Sequence, residues 1–278
     1  MKKELIAGLL LGLGAASAEA VCPYALNATA DQIRKAGYLP FPARTGQSAA
    51  FTVRDNSTSF YGLRYGAGSY NGAKAYLASQ KNGLPGGDVK LPASGTVAVE
   101  FKVDNYATGL PGSNPAAAGI GFGVSSGNIG SVSSGPMLDV RVAVVDENSA
   151  YGAPRIQVEA KSRSGTGAPV VQAAAQQPLA LPLPPEYRVG LYFNRSTGQV
   201  GYVVNGVDAG ALTDSAGNPL LIPASLTAFS IGVGGGNAGI QVGDPLIGTY
   251  IGGTLVTDAA LMTQPYPAGT TDICGVPR

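Results

Sequence analysis

The chain has 278 residues, only 13% of which are charged, and its net charge of +1 offers no basic excess for binding nucleic acid or an anionic membrane. It contains no histidine, which excludes Ser-His-Asp and Cys-His catalysis and histidine zinc sites. The hydrophobic content of 45% suits a packed core, and 41 glycines and 20 prolines are typical of short strands joined by tight turns.

The N-terminus predicts an export signal. Two lysines follow Met1, an apolar run extends to Ala18, and Ala18-Glu19-Ala20 has the small-x-small pattern of a cleavage site. We therefore expect residues 1–20 to be a signal peptide and residues 21–278 to form one exported domain. Its location would be periplasmic, cell-surface or extracellular. The apolar run is too short to span a bilayer comfortably, and no later segment is apolar enough, so a membrane-embedded protein is not expected.

Three early segments precede the best-defined strands. Thr29 and Gln32 fit a helix capping box and Gly37 would end the helix, so a short helix is expected over residues 29–36. Residues 51–65 are expected to hold a strand or hairpin. Residues 73–81 are ambiguous, because alanine, lysine and leucine favour helix whereas flanking glycines bracket a run of strand length. We favour a strand there.

The clearest single strand covers residues 96–104. Its apolar residues occupy alternate positions from Val97 to Val103, which predicts one buried face and one solvated face. Glu100 and Asp104 share the face predicted to be solvated, about 13 Å apart at the usual rise per residue. That separation is too long for the carboxylate pair of a glycosidase.

Later strands are expected over residues 119–124, 138–146 and 155–161. Residues 163–185 are predicted to be a connection, because they are rich in glycine, alanine, glutamine and proline. Two alternating runs on either side of residues 195–198 predict a β-hairpin over residues 187–204. Asn205 and Gly206 predict a tight turn after it.

The remaining strands are expected over residues 226–233 and 247–256, followed by a short turn or helix over residues 258–263. Between those strands, residues 234–239 formally match the G-x-G-x-x-G motif of nucleotide-binding proteins. No helical pattern follows them and no βαβ unit surrounds them, so a flexible loop is predicted instead.

Two segments resemble a known family. The hairpin YRVGLYFNRSTGQVGYVVNG, residues 187–206, resembles the central hairpin of concanavalin A-like and laminin-G-like jelly-roll sandwiches. The segment GTYIGGTLVTDAALMTQ, residues 248–264, is similar to their last strand, and the order of parts matches over most of residues 50–262. The resemblance implies an all-β fold, an antiparallel β-sandwich of the concanavalin-like jelly-roll type, here with one short N-terminal helix. Residues 22–24, Cys-Pro-Tyr, with the capped helix and the C-terminal cysteine, also resemble an uncharacterised family of exported gammaproteobacterial proteins.

Cys22 and Cys274 are the only cysteines. In an exported protein two cysteines most simply form one disulfide, and the alternatives are two free thiols or an intermolecular bridge. Closing so long a loop would stabilise the fold by at most roughly 5 kcal/mol.

The strongest candidate for a binding site is the tyrosine-rich segment over residues 60–76. Tyrosine offers a flat ring with a polar tip, which suits contact with sugars or with protein partners. We select as candidate ligand-binding residues Tyr61, Arg64, Tyr65 and Tyr70. The alternative is that some of these tyrosines pack in the core.

No cofactor is predicted, and calcium is the ion that loop side chains could bind. The candidates are Asp208, Asp214, Asn218, Asn237 and Asp244. They lack the D-x-D-x-D spacing of a calcium loop, so solvated turns are favoured.

These observations favour an exported, non-catalytic binding or adhesion module, with carbohydrate as a candidate ligand and a glycan or surface protein as the expected partner. One alternative is a structural subunit of a surface layer or fibre, which an exposed, unprotected edge strand would favour. Another is a hydrolase or lyase acting on polysaccharide, for which the sequence shows no site. Two carboxylates within about 5–9.5 Å in a groove would favour it.

Overall fold

The computed structural model describes residues 22–56, 62–82, 86–106, 116–127, 135–147, 154–179 and 186–278. The predicted signal peptide and Tyr61 lie outside these ranges. Within them, the chain forms two mainly antiparallel β-sheets with a shared core, which confirms the all-β sandwich.

Sheet I has eight strands, seven of which form a continuous path. In spatial order they are β1 (Leu39–Pro40), β4 (Leu63–Gly68), β14 (Ala228–Ala238), β7 (Ala117–Gly127), β8 (Met137–Glu147), β9 (Arg155–Arg163) and β10 (Val171–Pro178). The short strand β5 (Val89–Lys90) pairs with one end of β14. The three neighbouring strands β4, β14 and β7 of this sheet are far apart in sequence.

Sheet II also has eight strands. In spatial order they are β13 (Val207–Ala211), β12 (Gln199–Val204), β11 (Tyr187–Asn194), β6 (Thr96–Asn105), β15 (Tyr250–Val256), β3 (Ser48–Thr52) and β2 (Ala43–Thr45). The short strand β16 (Thr270–Thr271) pairs in parallel with the start of β6. The short 3-10 helix Ala259–Leu261 lies between β15 and β16, in the segment predicted to be a turn or helix.

The core lies between the two sheets and is filled by the inward-facing residues of both. Phe101 of sheet II contacts Phe122 of sheet I, with ring centroids 5.7 Å apart. Phe193 of sheet II stacks on Phe229 of sheet I at 5.3 Å. Three of these rings are fully buried and Phe122 is nearly so, and burying a side chain of this size contributes about 1.5–3 kcal/mol.

The predicted hairpin is confirmed as β11 and β12. Its strands pair antiparallel from Val189 opposite Val204 to Asn194 opposite Gln199. Asn205 and Gly206 both adopt positive φ, at 45° and 88°, in the predicted tight turn. That turn leads into β13, a strand the sequence analysis did not predict.

The N-terminal helix is confirmed as α1 (Ala30–Lys35). The Gln32 amide donates to Thr29 Oγ1 at 3.2 Å, and the Thr29 amide donates to Gln32 Oε1 at 2.8 Å, so the capping box is complete. Gly37 ends the helix with a φ of 88°. Ile33 is buried, as the amphipathic pattern requires.

The prediction of a strand over residues 73–81 is wrong, because these residues belong to helix α2 (Tyr70–Asn82). The helix starts before the ambiguous run, and Ser69 Oγ accepts a hydrogen bond from the Gly72 amide at 2.8 Å at its N-terminus. With 13 residues the segment has helix length, so the helix propensity of its alanine, lysine and leucine residues prevails.

Two segments predicted to be irregular are strands. Residues 234–238 continue β14 instead of forming a flexible loop, and they pair with β4 and β7. Residues 171–178 form β10, within the predicted connection, and pair with β9 over their whole length. In both cases pairing with neighbouring strands overrides a composition that disfavours strands.

The solvated face predicted for residues 96–104 is partly covered. A C-terminal segment after β15 crosses the outer face of sheet II and packs on a second apolar cluster. Its members are Ala98, Tyr192, Val203, Val256, Met262 and Tyr266. Glu100 lies under this segment with 0% exposure, so its interpretation as part of a solvated face is wrong.

The predicted disulfide is confirmed. Cys22 and Cys274 are bonded, with their Cα atoms 5.7 Å apart and 252 residues of sequence between them. The bond ties the first described residue to the C-terminal segment that covers sheet II. None of the helices in the described ranges has the length and apolar character needed to cross a bilayer.

Candidate binding groove

The outer face of sheet I carries a groove whose floor is made of glycine. On β4, β14 and β7 most of the groove-lining residues that face away from the core are glycines. These are Gly66, Gly68, Gly119, Gly121, Gly123, Gly232, Gly234 and Gly236. The alternate positions carry core residues such as Tyr65, Ile231 and Ile120. Because glycine has no Cβ, a ligand on this floor meets backbone directly.

The floor glycines have two different physical roles. A Cβ at Gly121 would clash with the carbonyl oxygen of Val142 on β8, so the close approach of the β8 backbone requires glycine at that position. At Gly234, by contrast, the nearest atom to a Cβ would be the Tyr65 carbonyl oxygen at 4.0 Å. Glycine at that position leaves open volume above the floor.

Helices and strand β8 form the two walls of the groove. On one side lie residues of α1, α2 and the turn after α1, including Ala36, Tyr38, Ala73 and Tyr76. On the other side lie Asp139, Arg141, Ala143 and Val145 of β8. The groove has a volume of about 600 Å³, within the usual range for small-molecule sites.

An ion pair marks the β8 wall. Arg141 Nη2 lies 2.9 Å from Asp139 Oδ2, and Arg141 Nε donates to Asp139 Oδ1 at 3.4 Å. The Asp139 side chain is only 10% exposed, whereas that of Arg141 is 55% exposed. The aspartate therefore orients the arginine, and the arginine is the partner that a ligand can reach.

Burial and charge act in opposite directions on this pair. Burial raises the pKa of Asp139 above its ordinary value, although Arg141 pulls it down. Burial also pulls the pKa of Arg141 down, but the Asp139 carboxylate and the phenols of Tyr38 and Tyr76 hold it above its ordinary value. Arg141 consequently carries a full positive charge at every physiological pH.

The structure places three of the four predicted ligand-binding residues, in different environments, and the fourth, Tyr61, lies outside the described residues. Arg64 lines the groove, is exposed, and its side chain makes no hydrogen bond or ion pair within the described ranges. The ring of Tyr65 packs in the core, and its centroid lies 5.2 Å from that of Phe51. For this residue the structure therefore agrees with the alternative that some of the tyrosines pack in the core. Tyr70 is 47% exposed at the start of α2 and does not line the groove.

Sequence reasoning missed most of the groove. Tyr76 belongs to the tyrosine-rich segment but was not selected, and Tyr38, Asp139 and Arg141 lie outside it. A usable signal was present, because glycine occupies every second position in three separate strand segments. They are residues 66–68, 119–123 and 232–236. Glycine on alternate positions predicts a strand with one bare face.

The candidate calcium ligands are engaged in local structure. Asp214 Oδ1 accepts from the amides of Ala216 and Asn218, both at 2.9 Å, and the Asn218 hydrogen bonds lower the pKa of Asp214. Asp244 accepts from the Gln241 amide at 2.7 Å. Asp208 accepts from the Tyr192 hydroxyl at 3.2 Å, and Asn237 is buried against Arg54 and Asn56. Each side chain thus stabilises its own neighbourhood.

One group of possible metal ligands is present among the described residues, formed by Cys22, Asp272 and Cys274. It does not fit a metal ion, because the two sulfurs are joined to each other and cannot act as thiolate ligands. Asp272 Oδ1 already accepts from the amides of Cys274 and Val276, at 2.8 and 2.9 Å. This group is a structural clasp for the C-terminal segment.

The carboxylates needed for glycoside hydrolysis are not paired in the groove. Asp139 is the sole acidic side chain among the described lining residues. Glu100 and Asp104 lie on sheet II, where Glu100 pairs with Arg188 at 2.6 Å and Asp104 with Lys102 at 2.9 Å. The described part of the chain therefore offers the groove one carboxylate and two arginines.

Fold and groove together define a β-sandwich with an open, glycine-floored cleft on one sheet. The chain belongs to the family described as "Domain of unknown function (DUF4882)", whose model matches residues 6–276. A search of curated proteins found no match.

Solved structures show distant similarity. The potassium-bound carbohydrate recognition domain of Emp46p is 12% identical over 84% of this chain and 95% of that chain, with a TM-score of 0.42. The kappa-carrageenase of Pseudoalteromonas carrageenovora, in complex with an oligotetrasaccharide, is 9% identical over 60% and 67%, with a TM-score of 0.33. An alginate lyase Aly36B mutant bound to alginate tetrasaccharide is 12% identical over 61% and 73%, also at 0.33. Similarity at this level identifies neither a ligand nor an activity for this chain.

Proposed function

We propose that this protein is an exported, non-catalytic binding module that holds a carbohydrate chain in the glycine-floored groove. The observation that carries the proposal is the composition of the groove. A flat, bare floor lies between two tyrosines, Tyr38 and Tyr76, and the Asp139–Arg141 pair.

This combination matches the two faces of a sugar. The C–H face of a pyranose ring is apolar and flat, so it packs on bare backbone and on tyrosine rings. The hydroxyl edge needs hydrogen-bond partners, and bonds to a charged guanidinium are stronger than those to neutral groups. Arg141 is anchored by Asp139 and so loses little freedom when it binds a ligand.

Export is supported by the disulfide. A bond between Cys22 and Cys274 persists in oxidising compartments, such as the periplasm or the exterior of the cell, and is rare in the cytosol. The predicted signal peptide at residues 1–20 supports the same location.

The proposal is tested by a glycan array probed with the purified, disulfide-bonded protein, with and without calcium. The informative variant is Gly234→Val, which fills the groove from a position where a Cβ meets no atom closer than 4.0 Å. The matched control is Gly165→Val, which adds the same atoms at a site with no neighbour within 4 Å, outside the groove.

We expect the wild-type protein and Gly165→Val to bind the same class of glycan, and Gly234→Val to lose that binding while unfolding at the same temperature. A blank array under both calcium conditions would contradict the proposal. Equal binding by Gly234→Val would move the site elsewhere on the molecule. Shortening of a bound polysaccharide over time would contradict the non-catalytic role.

A second candidate, a structural subunit of a surface layer or fibre, is favoured by β10. This edge strand of sheet I contains no charged residue and is mostly exposed, which is the kind of edge that pairs with another chain. A bridge from Ala173 to Asp214 covers it at one point.

The subunit candidate predicts concentration-dependent assembly that is abolished by Gln176→Lys, since a lysine on an edge strand opposes pairing. Sedimentation over a wide concentration range measures it. A wild-type protein that stays monomeric throughout would remove this candidate and leave the binding module.

A further inference from the structure

We infer that the carbohydrate held in the groove is an acidic polysaccharide, whose repeated anionic groups bind Arg64 and Arg141 at opposite corners of the glycine floor. The inference rests on the proposed function, because it names the ligand class of the same groove.

The first observation concerns Arg64. Its side chain is exposed on the outer face of β4 and lines the groove. Within the described ranges it has no carboxylate partner and makes no hydrogen bond. An arginine offers five N–H donors in a planar fork that matches a carboxylate or a sulfate, so an unpaired arginine beside a groove is available for such a group.

The second observation concerns Arg141. Its contacts with Asp139 involve Nε and Nη2, and no contact of Nη1 is formed with Asp139. With 55% of the side chain exposed, the remaining donors face the groove and solvent. Asp139 thus fixes the direction of the guanidinium and leaves its other edge for an anionic ligand.

The third observation is the distance between the two arginines. Arg64 on β4 lies opposite Gly236, Gly236 opposite Gly119, and Gly119 opposite Val145, so three strand spacings separate β4 from β8. Arg141 lies four residues from Val145 along β8. At the usual strand spacing and rise, the Cα atoms of the two arginines are about 19 Å apart across the floor.

That spacing selects the kind of anion. The guanidinium of Arg141 is held by Asp139, which lies still farther along β8 from the position level with Arg64, so a single small anion cannot contact both arginines. A polymer with regularly repeated charges can bind both. The floor between the arginines carries no charged side chain, only glycines and flanking alanines. Nothing on the floor therefore repels or competes for the anionic chain between its two anchor points.

The side chains that line the groove carry a net positive charge, which is the sign that attracts an acidic ligand. Among the described lining residues, two arginines face one aspartate, and that aspartate is paired and nearly buried. A cleft with low-dielectric walls and one sign of charge concentrates counter-ions of the opposite sign. The groove should therefore attract acidic chains even though the whole protein has a net charge of only +1.

A polynucleotide is a less suitable occupant. Single-stranded nucleic acids are held by aromatic rings on which successive bases stack, in channels rich in positive charge. The glycine floor provides no stacking platform, and the two tyrosines stand on one wall. The distinction between the two polymers is an outcome of the test.

The experiment compares probes that differ only in charge. Oligogalacturonates are titrated against the same oligosaccharides with their carboxylates methyl-esterified, and dextran sulfate against dextran, by calorimetry at low and high salt. The protein variants are Arg64→Gln, Arg141→Gln and, as a control, Arg54→Gln, which removes an exposed arginine outside the groove.

We expect at least one acidic probe to bind at least tenfold more tightly than its neutral counterpart, with the preference decreasing at high salt. Each groove variant should reduce that preference at least tenfold, since it removes hydrogen bonds between a charged guanidinium and the anionic group. Arg54→Gln should leave it unchanged.

Affinity should also increase with oligosaccharide length until the chain reaches both arginines. In Arg64→Gln, the gain in affinity that comes from reaching the second arginine should be absent. Which pair of probes shows the preference decides between carboxylate and sulfate.

The result that would overturn the inference is equal affinity for acidic and neutral members of both pairs. If the neutral glycans nevertheless bind and Gly234→Val abolishes their binding, the proposed function stands and only the acidic ligand class is wrong. Equally tight binding of a single-stranded oligonucleotide would also overturn the inference, because it would show unselective attraction of polyanions.

Discussion

The pKa of Asp139 in the groove is set by two opposing effects, its burial and the positive charge of Arg141. Its burial raises its pKa more than Arg141 lowers it, so the folded protein holds the proton of Asp139 more tightly than the unfolded chain does. The stability contribution of this group is therefore complete at pH values below the unfolded pKa of about 3.9 and is lost as the pH rises through the folded pKa.

This linkage predicts the behaviour of Asp139→Asn, which cannot ionise. Between pH 4 and pH 7, the free energy of unfolding of the wild-type protein should fall relative to that of the variant, as measured by urea unfolding at several pH values. If the wild-type protein instead becomes more stable relative to Asp139→Asn as the pH rises, the attraction of Arg141 lowers the pKa of Asp139 more than burial raises it.

The floor glycines yield a second prediction at the scale of the residue. Gly121→Ala should lower the free energy of unfolding by about 1–3 kcal/mol, because its Cβ would overlap the backbone of β8. Gly234→Ala meets no such obstacle and should stay within about 0.5 kcal/mol of the wild-type protein. Urea unfolding of the two variants side by side measures the difference, and equal effects would contradict the close approach of the β8 backbone to Gly121.

The alternation of apolar and other residues along a strand predicts which residues face the core and which face outward. In the segment Leu63 to Gly68, apolar residues alternate with Arg64, Gly66 and Gly68, so the alternation already places Tyr65 on the core side. Grouping it with Tyr61 and Tyr70 by composition obscured that pattern. The pairing of Asp139 with Arg141 was equally readable, since the two side chains lie two residues apart on one strand face.

At the scale of the element, the C-terminal segment and sheet II are joined through Glu100. Its carboxylate accepts hydrogen bonds from Arg188 at 2.6 Å and from the amides of Thr263 and Gln264 at 3.1 and 3.2 Å. A buried carboxylate is tolerated only when it is paired and hydrogen-bonded in this way. The segment thus completes the hydrogen bonding of the buried Glu100 carboxylate.

Glu100→Gln should destabilise the fold by roughly 3 kcal/mol, because it removes the buried charge partner of Arg188 and leaves that arginine only the more exposed Glu186. The measurement is thermal or urea unfolding, with limited proteolysis to detect release of the C-terminal segment. Lys102→Gln, which removes a more exposed ion pair on the same face, is the control and should change stability by less than about 1 kcal/mol.

The elements themselves were predictable where local pattern and tertiary context agree. The β11–β12 hairpin and β6 have strict alternation, and α1 has a complete capping box, so each was placed correctly. Helix α2 was missed because the ambiguous run was read from Ala73, without the Ser69 cap that lengthens it. Strand β10 has no alternation of its own, and only its pairing with β9 makes it a strand.

At the scale of the whole molecule, the disulfide should contribute a large share of stability. Replacing both cysteines by serine removes a constraint spanning 252 residues and should lower the free energy of unfolding by up to about 5 kcal/mol. The groove lies on sheet I, away from the clasp, so the variant should still bind the same glycans below its unfolding temperature. Loss of less than about 1 kcal/mol would mean that the C-terminal segment stays docked without the bond.

The sandwich and its disulfide could be predicted from sequence, whereas the groove could not. Alternation and turn residues are local, and two cysteines allow one intramolecular pairing. The groove, however, depends on which strands become neighbours. Its floor is formed by residues 63–68, 117–127 and 228–238. No pattern within any one of these segments predicts that the three strands are neighbours in the sheet.

The bond between Cys22 and Cys274 also changes what a protease can do to this protein. Residues 22–274 form a closed covalent ring, so a cut at one peptide bond within it opens the ring but releases no fragment. The strands that build the groove floor come from three distant parts of that ring. A nicked molecule therefore keeps all of its groove residues on one covalent body, and two pieces separate only after reduction. The clasp thus protects the assembled groove against a single proteolytic cut.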